Sequence, residues 1–139
     1  MAIAAGICDG IGYCDNSKAA ILTRGMTEMT RLGVKMGANK PTFSGLSGIG
    51  DLLVTALSKH SRNRFVGEQL AKGHTWLDIQ DSMDNVAEGV KATKAALVLA
   101  KDLGVEMPIA EMASRVLFEG LSPQKAMDEL MARPARSEW

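Results

Sequence analysis

Several features that mark whole classes of protein are missing from this sequence. Its 16 Lys and Arg residues balance 16 Asp and Glu residues, so the formal net charge is +0. Proteins that bind nucleic acid or a membrane surface usually show a basic excess, and this balance argues against both. No apolar run is long enough to cross a bilayer. The N-terminal segment MAIAAGI lacks the basic start and the length of a signal peptide, which predicts a cytoplasmic protein.

Cysteine and histidine are also scarce. The two cysteines, Cys8 and Cys14, form no C-x-x-C motif, so neither a disulfide framework nor a redox site is expected. Cys8, Cys14, His60 and His74 could in principle supply four zinc ligands, but none has the paired spacing of a structural zinc site. The sequence therefore predicts two buried thiols, two ordinary histidines and no bound metal.

The pattern that is present is helical almost throughout, because no alternating Val/Ile/Thr run bounded by turns indicates a strand. Asp15 and Asn16 can cap a long helix that ends near Gly37. Its core-facing stripe recurs at steps of three and four residues. The stripe consists of Leu22, Met26, Met29, Gly33 and Met36. The opposite face carries a charged row, for which a solvated surface is favoured over a partner surface. That row consists of Arg24, Glu28, Arg31 and Lys35.

Local start and stop signals predict the later helices. A helix over residues 62–72 ends at Gly73, and Thr75 can cap a short helix that runs through Gln80. Two further helices cover residues 88–103 and residues 108–118. The last helix begins at Ser122-Pro123, which provide a cap and a proline at the first helical position. The sequence predicts a single all-α domain over residues 1–139.

Two glycine clusters invite comparison with phosphate-binding loops. Neither GICDGIG (residues 6–12) nor GLSGIGD (residues 45–51) follows a predicted strand, and neither has the order of a dinucleotide fingerprint. For the first cluster we favour helix termination and close helix packing. The second delivers Asp51 to the start of a helix. Asp51 either caps that helix or is held by the turn to face a ligand.

The segment SKHSRNRFVG (residues 58–67) concentrates cations and small polar residues at the start of a helix. Ser61 stands at the N-cap position, with Arg62 and Asn63 in the first turn. An arginine there opposes the helix dipole, and a bound anion would remove that conflict. The residues alone leave two interpretations equally open: a Ser-capped helix with a solvated Arg62, or a phosphate site. Arg64 either assists such a site or points to solvent.

Five segments, taken in order, resemble the helical domain of bacterial NAD(P)-dependent glycerol-3-phosphate dehydrogenase. They are IAAGICDGIGYCDNSKAAILTRGMTEMTRLG, GLSGIGDLLVT, SRNRFVGEQLAKG, NVAEGVKATKAA and GVEMPI, and the likeness extends from Ala2 to about Arg133. The resemblance implies a helix bundle like the C-terminal domain of 6-phosphogluconate dehydrogenase. It also implies reversible hydride transfer between NAD or NADP and glycerol 3-phosphate or dihydroxyacetone phosphate, in the service of glycerophospholipid synthesis.

The resemblance also implies site residues, carried over by matching motif: the substrate would contact Asp51, Ser61, Arg62 and Asn63. It places Arg62 near the cofactor as well, together with Val86 and Glu88 of NVAEG. In the family, a separate N-terminal dinucleotide domain binds most of the cofactor.

One departure from the family concerns its general acid/base, a lysine in a K-N-x-x-A-I-A-A-G pattern. That lysine would lie three residues before Met1, and Lys18 does not match its position. No catalytic residue is therefore assigned, and we expect a substrate-binding fragment that is inactive alone. We also expect an exposed apolar face on the first helix, leading to a homodimer. The alternative is a non-catalytic helical module for oligomerisation or binding.

Overall fold

The computed structural model describes residues 1–134, which form eight α-helices and two irregular helical turns. The helices are α1 (Ala2–Gly10), α2 (Asp15–Lys35), α3 (Asp51–Leu57), α4 (Arg62–Ala71), α5 (Trp76–Asp81), α6 (Glu88–Asp102), α7 (Pro108–Phe118) and α8 (Pro123–Met131). No strand occurs among these residues, which confirms the all-α prediction. Residues 135–139 of the predicted domain lie outside the described residues. Within residues 1–134, no helix has both the length and the apolar character needed to cross a membrane.

The local signals read from the sequence operate as predicted at most helix ends. The side chain of Ser122 accepts a hydrogen bond from the Lys125 N–H at 3.3 Å and so caps α8. Thr75 and Asp78 form a reciprocal capping box at the start of α5. Gly73 and Gly104 follow α4 and α6 with φ of +93° and +63°, a backbone region that favours glycine.

The start of α2 differs from the prediction. Its N-cap is Cys14, and Asp15 is its first helical residue, with no side-chain cap bond. The prediction of two buried thiols is therefore wrong for Cys14, which is exposed at the cap, whereas Cys8 is buried. Met36, assigned to the core stripe, follows the end of α2 and is 57% exposed.

Helix α1 lies at the centre of the molecule rather than at its edge. Its residues from Ala2 to Cys8 are all buried, and it packs most extensively against α4. The two backbones approach closely at Gly6, where a Cβ would overlap the Arg64 carbonyl oxygen. This confirms the close-packing interpretation of the first glycine cluster. It also shows that the predicted exposed apolar face on the first helix is wrong, because neighbouring helices cover it.

The charged row on α2 is not wholly solvated. Glu28 is 3% exposed, and its carboxylate oxygens accept hydrogen bonds from the N–H groups of Ile109 (2.8 Å) and Ala110 (3.3 Å). Helix α7 begins with Pro108, and its N-cap residue, Met107, offers no capping side chain. Because the start of α7 packs on this face of α2, the Glu28 side chain satisfies its unpaired N–H groups. The prediction of a solvated face is wrong at this position.

Candidate functional site

The candidate site is an open cleft of about 260 Å³ where the end of α3, the start of α4 and the start of α6 meet. It is lined by Val54, Thr55, Ser58, His60, Ser61, Arg62, Asn63 and Glu88. The structure therefore brings together four residues that the sequence singled out: Ser61, Arg62, Asn63 and Glu88. Asp51 and Val86 do not line this cleft.

Ser61 and Arg62 occupy the positions that the sequence predicted for them. The Ser61 side-chain oxygen accepts a hydrogen bond from the Arg64 N–H at 3.2 Å, which confirms Ser61 as the N-cap of α4. Arg62 is the first helical residue and is exposed. Among the described residues, none forms an ion pair with Arg62. In the part of the chain that the structure describes, a cation at a helix N-terminus thus lines the cleft without forming an ion pair.

Within residues 1–134, two backbone N–H groups beside this guanidinium have no hydrogen-bond partner. In the first turn of α4 the Arg64 N–H is taken by the Ser61 side chain, and the Phe65 N–H donates to the Ser61 carbonyl at 2.9 Å. The N–H groups of Arg62 and Asn63 precede the first intrahelical bond. The Ser61 hydroxyl, which accepts from Arg64, keeps its own proton for donation. The start of α4 thus combines a cation, a hydroxyl and two backbone donors, a set of groups that suits a phosphate.

Asn63 connects the cleft to α6. Its side-chain Oδ1 accepts a hydrogen bond from the Gly89 N–H at 2.9 Å. Residue 87, the N-cap of α6, is an alanine and makes no side-chain cap bond. The motifs SRN and NVAEG, which lie far apart in the sequence, are therefore joined directly, and sequence reasoning missed this contact.

Arg64 takes neither of the roles considered for it from the sequence. Its side chain is 16% exposed, and its Nε lies 2.9 Å from Asp9 Oδ2 and 3.0 Å from Glu68 Oε1. Its Nη1 donates to the Leu57 carbonyl at 2.8 Å. Lys18 joins the same group through Asp9 Oδ1 at 2.6 Å. Arg64 holds the end of α3 and the start of α4 against α1, and its spacing of four residues to Glu68 was the signal available in the sequence.

Asp51 and Val86 lie outside the lining of the cleft. A single π-helical turn, Leu46–Gly50, leads directly into α3, with the Gly50 N–H donating to the Gly45 carbonyl at 3.2 Å. Asp51 is therefore an exposed first-turn residue and makes no side-chain cap bond, so capping is not its role. It shares a face of α3 with Thr55, four residues on, which lines the cleft. Val86 is 54% exposed and lines a neighbouring pocket with Trp76.

Comparison with known proteins identifies the family. The model for the NAD-dependent glycerol-3-phosphate dehydrogenase C-terminus matches residues 1–128. The chain belongs to this family. A curated relative from Salinibacter ruber, named glycerol-3-phosphate dehydrogenase [NAD(P)+] 2, is 55% identical over 138 residues, covering 99% of this chain and 40% of the relative. A relative of similar name from Geobacillus thermodenitrificans is 54% identical over the same length and with the same coverage.

Solved structures of this family agree with the fold. A crystal structure of glycerol-3-phosphate dehydrogenase from Coxiella burnetii superposes with a TM-score of 0.91 at 40% identity, covering 95% of this chain and 41% of that one. A Plasmodium falciparum glycerol-3-phosphate dehydrogenase, at 21% identity and a TM-score of 0.83, shows the same fold. The chain spans about 40% of the length of the relatives it matches.

Proposed function

We propose that this chain is the substrate-binding part of an NAD(P)-dependent glycerol-3-phosphate dehydrogenase. The whole enzyme interconverts glycerol 3-phosphate and dihydroxyacetone phosphate by hydride transfer at C2. The observation that carries this proposal is Arg62, exposed and without an ion-pair partner among the described residues, at the N-terminus of α4 in the cleft. An oligomerisation or packing module would give such an arginine no role.

The substrate phosphate binds at the start of α4. The Arg62 guanidinium forks onto two phosphate oxygens, while the Ser61 hydroxyl and the N–H groups of Arg62 and Asn63 donate to the others. The helix dipole adds to this attraction for a dianion. From the adjacent face of α3, the Asp51 carboxylate accepts a hydrogen bond from a substrate hydroxyl and orients the carbon chain. Phosphate at one end and hydroxyl at the other fix the direction of the bound substrate.

The cofactor contacts this chain only at its edge. NAD or NADP, held mainly by a separate dinucleotide domain, supplies the hydride acceptor or donor. Arg62 at the start of α4 is exposed, as are Val86 and Glu88 at the start of α6, so all three suit a cofactor that approaches from outside this chain. We further expect a homodimer that acts in the cytoplasm and serves glycerophospholipid synthesis.

Thermal melting tests the proposal. Glycerol 3-phosphate should raise the melting temperature of the chain, because a ligand that binds the folded state stabilises it by mass action. Glycerol at the same concentration should have little effect, since it lacks the phosphate. Arg62→Ala should abolish the shift, and Arg62→Lys should keep only part of it, because an ammonium cannot reproduce the planar fork.

A neighbouring cation supplies the control. Lys59 lies in the loop just before α4 and is exposed, but it does not line the cleft. Lys59→Ala removes the same charge from the same segment and should leave the glycerol 3-phosphate shift unchanged. An equal shift in wild type and Arg62→Ala would reject the phosphate site and leave Ser61-Arg62-Asn63 as a helix cap.

A further inference from the structure

The start of α6 depends on a residue from another helix. An N-cap side chain normally accepts a hydrogen bond from the second or third N–H of its helix. In α6 the N-cap is Ala87, which has no acceptor, and the second helical residue is Gly89. The Gly89 N–H instead donates to Asn63 Oδ1 at 2.9 Å. Asn63 therefore caps α6 from α4.

This bond fixes how the Asn63 amide is oriented. A backbone N–H can only donate, so the atom that faces it must be the carbonyl oxygen of the side chain. The Nδ2 group is then left as the donor of an amide that lines the cleft beside Arg62. With the opposite orientation, an oxygen would take the place of that donor, and an oxygen repels a phosphate.

Gly89 also has to lack a side chain. A Cβ built on Gly89 would lie 2.6 Å from Asn63 Oδ1, 2.8 Å from its Cγ and 3.2 Å from its Nδ2. All three of these nearest atoms belong to Asn63, so any larger residue would displace this one amide. The glycine is required by the close approach of a specific side chain.

We propose that Gly89 is a positioning residue for the phosphate site, holding the Asn63 amide so that Nδ2 donates to the anion bound at Arg62. This rests on the proposed function. Gly89 touches no ligand itself: it acts through Asn63, by the hydrogen bond and by the space that its missing side chain leaves. The same bond joins the substrate side of the cleft, on α4, to the cofactor side, at the start of α6.

The first experiment compares one substitution in two backgrounds without ligand. An alanine in place of glycine in a helix is normally stabilising. Gly89→Ala in the wild-type chain should nevertheless lower the melting temperature, because the new Cβ collides with the Asn63 amide. In an Asn63→Ala background the collision is gone, and Gly89→Ala should leave the melting temperature unchanged or raise it. The same change in both backgrounds would overturn the proposed geometry.

The second experiment measures the apparent affinity for glycerol 3-phosphate from the concentration dependence of the melting temperature. Gly89→Ala should weaken it about tenfold in the wild-type chain, as expected for the loss of one donor to a charged group. In the Asn63→Ala background, Gly89→Ala should cause no further loss of affinity for glycerol 3-phosphate. A residue with a merely structural role would lower the melting temperature and leave the affinity unchanged, and that result would overturn the inference.

Asn63→Asp keeps the test decisive if Gly89→Ala does not fold. The carboxylate of this variant retains an acceptor for the Gly89 N–H but loses the donor, so the melting temperature should hold while glycerol 3-phosphate affinity falls at least as far as in Asn63→Ala. Unchanged affinity in Asn63→Asp would contradict the role of Nδ2. If the wild-type chain shows no response to glycerol 3-phosphate, the proposed function fails and the inference fails with it. If the wild-type chain responds to glycerol 3-phosphate and Gly89→Ala binds it with equal affinity, the inference is overturned while the proposed function stands.

Discussion

Two arginines that lie two positions apart in one segment have opposite environments. Arg62 is exposed in the cleft, and Arg64 is largely buried among Asp9, Glu68 and the Leu57 carbonyl. At 3.6 residues per turn, positions two apart lie on nearly opposite sides of a helix, which explains the difference. The sequence singled out Arg62 from its place in the first turn, and it left the role of Arg64 open because the partners of Arg64 on α1 and α3 lie outside its own helix.

This contrast predicts different effects of removing each arginine. Arg64→Ala should lower the free energy of unfolding by about 1–3 kcal/mol, because it removes the hydrogen bond to the Leu57 carbonyl and the ion pair with Glu68 and leaves Asp9 with Lys18 alone. Arg62→Ala should leave stability unchanged or slightly raised, since Arg62 opposes the helix dipole. Urea denaturation of the two variants measures both quantities. Similar losses in both would show that Arg62 also has a structural role.

The two cysteines should also behave differently. Burial raises the pKa of the Cys8 thiol to about 11, with the nearby Asp9 carboxylate acting in the same direction. The backbone N–H of Ser17, at the start of α2, lowers the pKa of the exposed Cys14 thiol. Because the thiolate is the reactive form, iodoacetamide at mildly alkaline pH should modify Cys14 in the folded chain and spare Cys8. Mass spectrometry of the digested protein distinguishes the sites, and equal labelling of both under native conditions would contradict the burial of Cys8.

At the scale of helices, features set by local signals could be predicted from the sequence, and features set by tertiary contacts could not. Helix α7 was predicted at its observed bounds, 108–118, because Pro108 marks a first helical position. The caps of α4, α5 and α8 were likewise readable, since a cap and the groups it satisfies lie within one turn. The capping roles of Glu28 and Asn63 could not be predicted, because each of these side chains caps a helix that begins elsewhere in the chain. The π-helical turn before Asp51 also leaves no local signature in the sequence.

Glu28 makes the packing of α2 against α7 dependent on pH. Burial raises the pKa of its carboxyl from 4.5 to about 7, with Glu111 acting in the same direction, while the Ile109 and Ala110 N–H groups and the Met1 amino group oppose the shift. The folded chain therefore binds this proton more tightly than the unfolded chain. Its stabilising contribution is complete below about pH 4.5 and is lost as the pH rises through about 7.

Glu28→Gln should remove this pH dependence. At about 1.4 kcal/mol per pH unit, the wild-type chain should lose on the order of 3 kcal/mol relative to Glu28→Gln between about pH 4.5 and about pH 8. Other carboxyls titrate in both proteins and cancel in the difference between them. Urea denaturation across this range provides the measurement. A difference that does not change with pH would show that the Glu28 carboxyl is not perturbed in the folded state.

At the scale of the whole molecule, α1 organises the fold. The largest group of packed apolar residues includes Ile3, Ile7 and Cys8 from α1, and a second group includes Ala2 and Ala5 from the same helix. The resemblance suggested an exposed apolar face on the first helix, because in the family this helix would pack against the N-terminal domain. The covering helices come from later in the sequence, and a homodimer stays a prediction without the exposed face that first motivated it.

The central claim is that the start of α4 binds the phosphate of glycerol 3-phosphate, and its location can be observed directly. Titration of the ¹⁵N-labelled chain with glycerol 3-phosphate, followed by amide NMR, maps the residues that respond. We expect the largest shifts at the Arg62 and Asn63 amides, with smaller shifts at Gly89, and none of these in Arg62→Ala. Shifts confined to another surface, or an undiminished response in Arg62→Ala, would contradict the account.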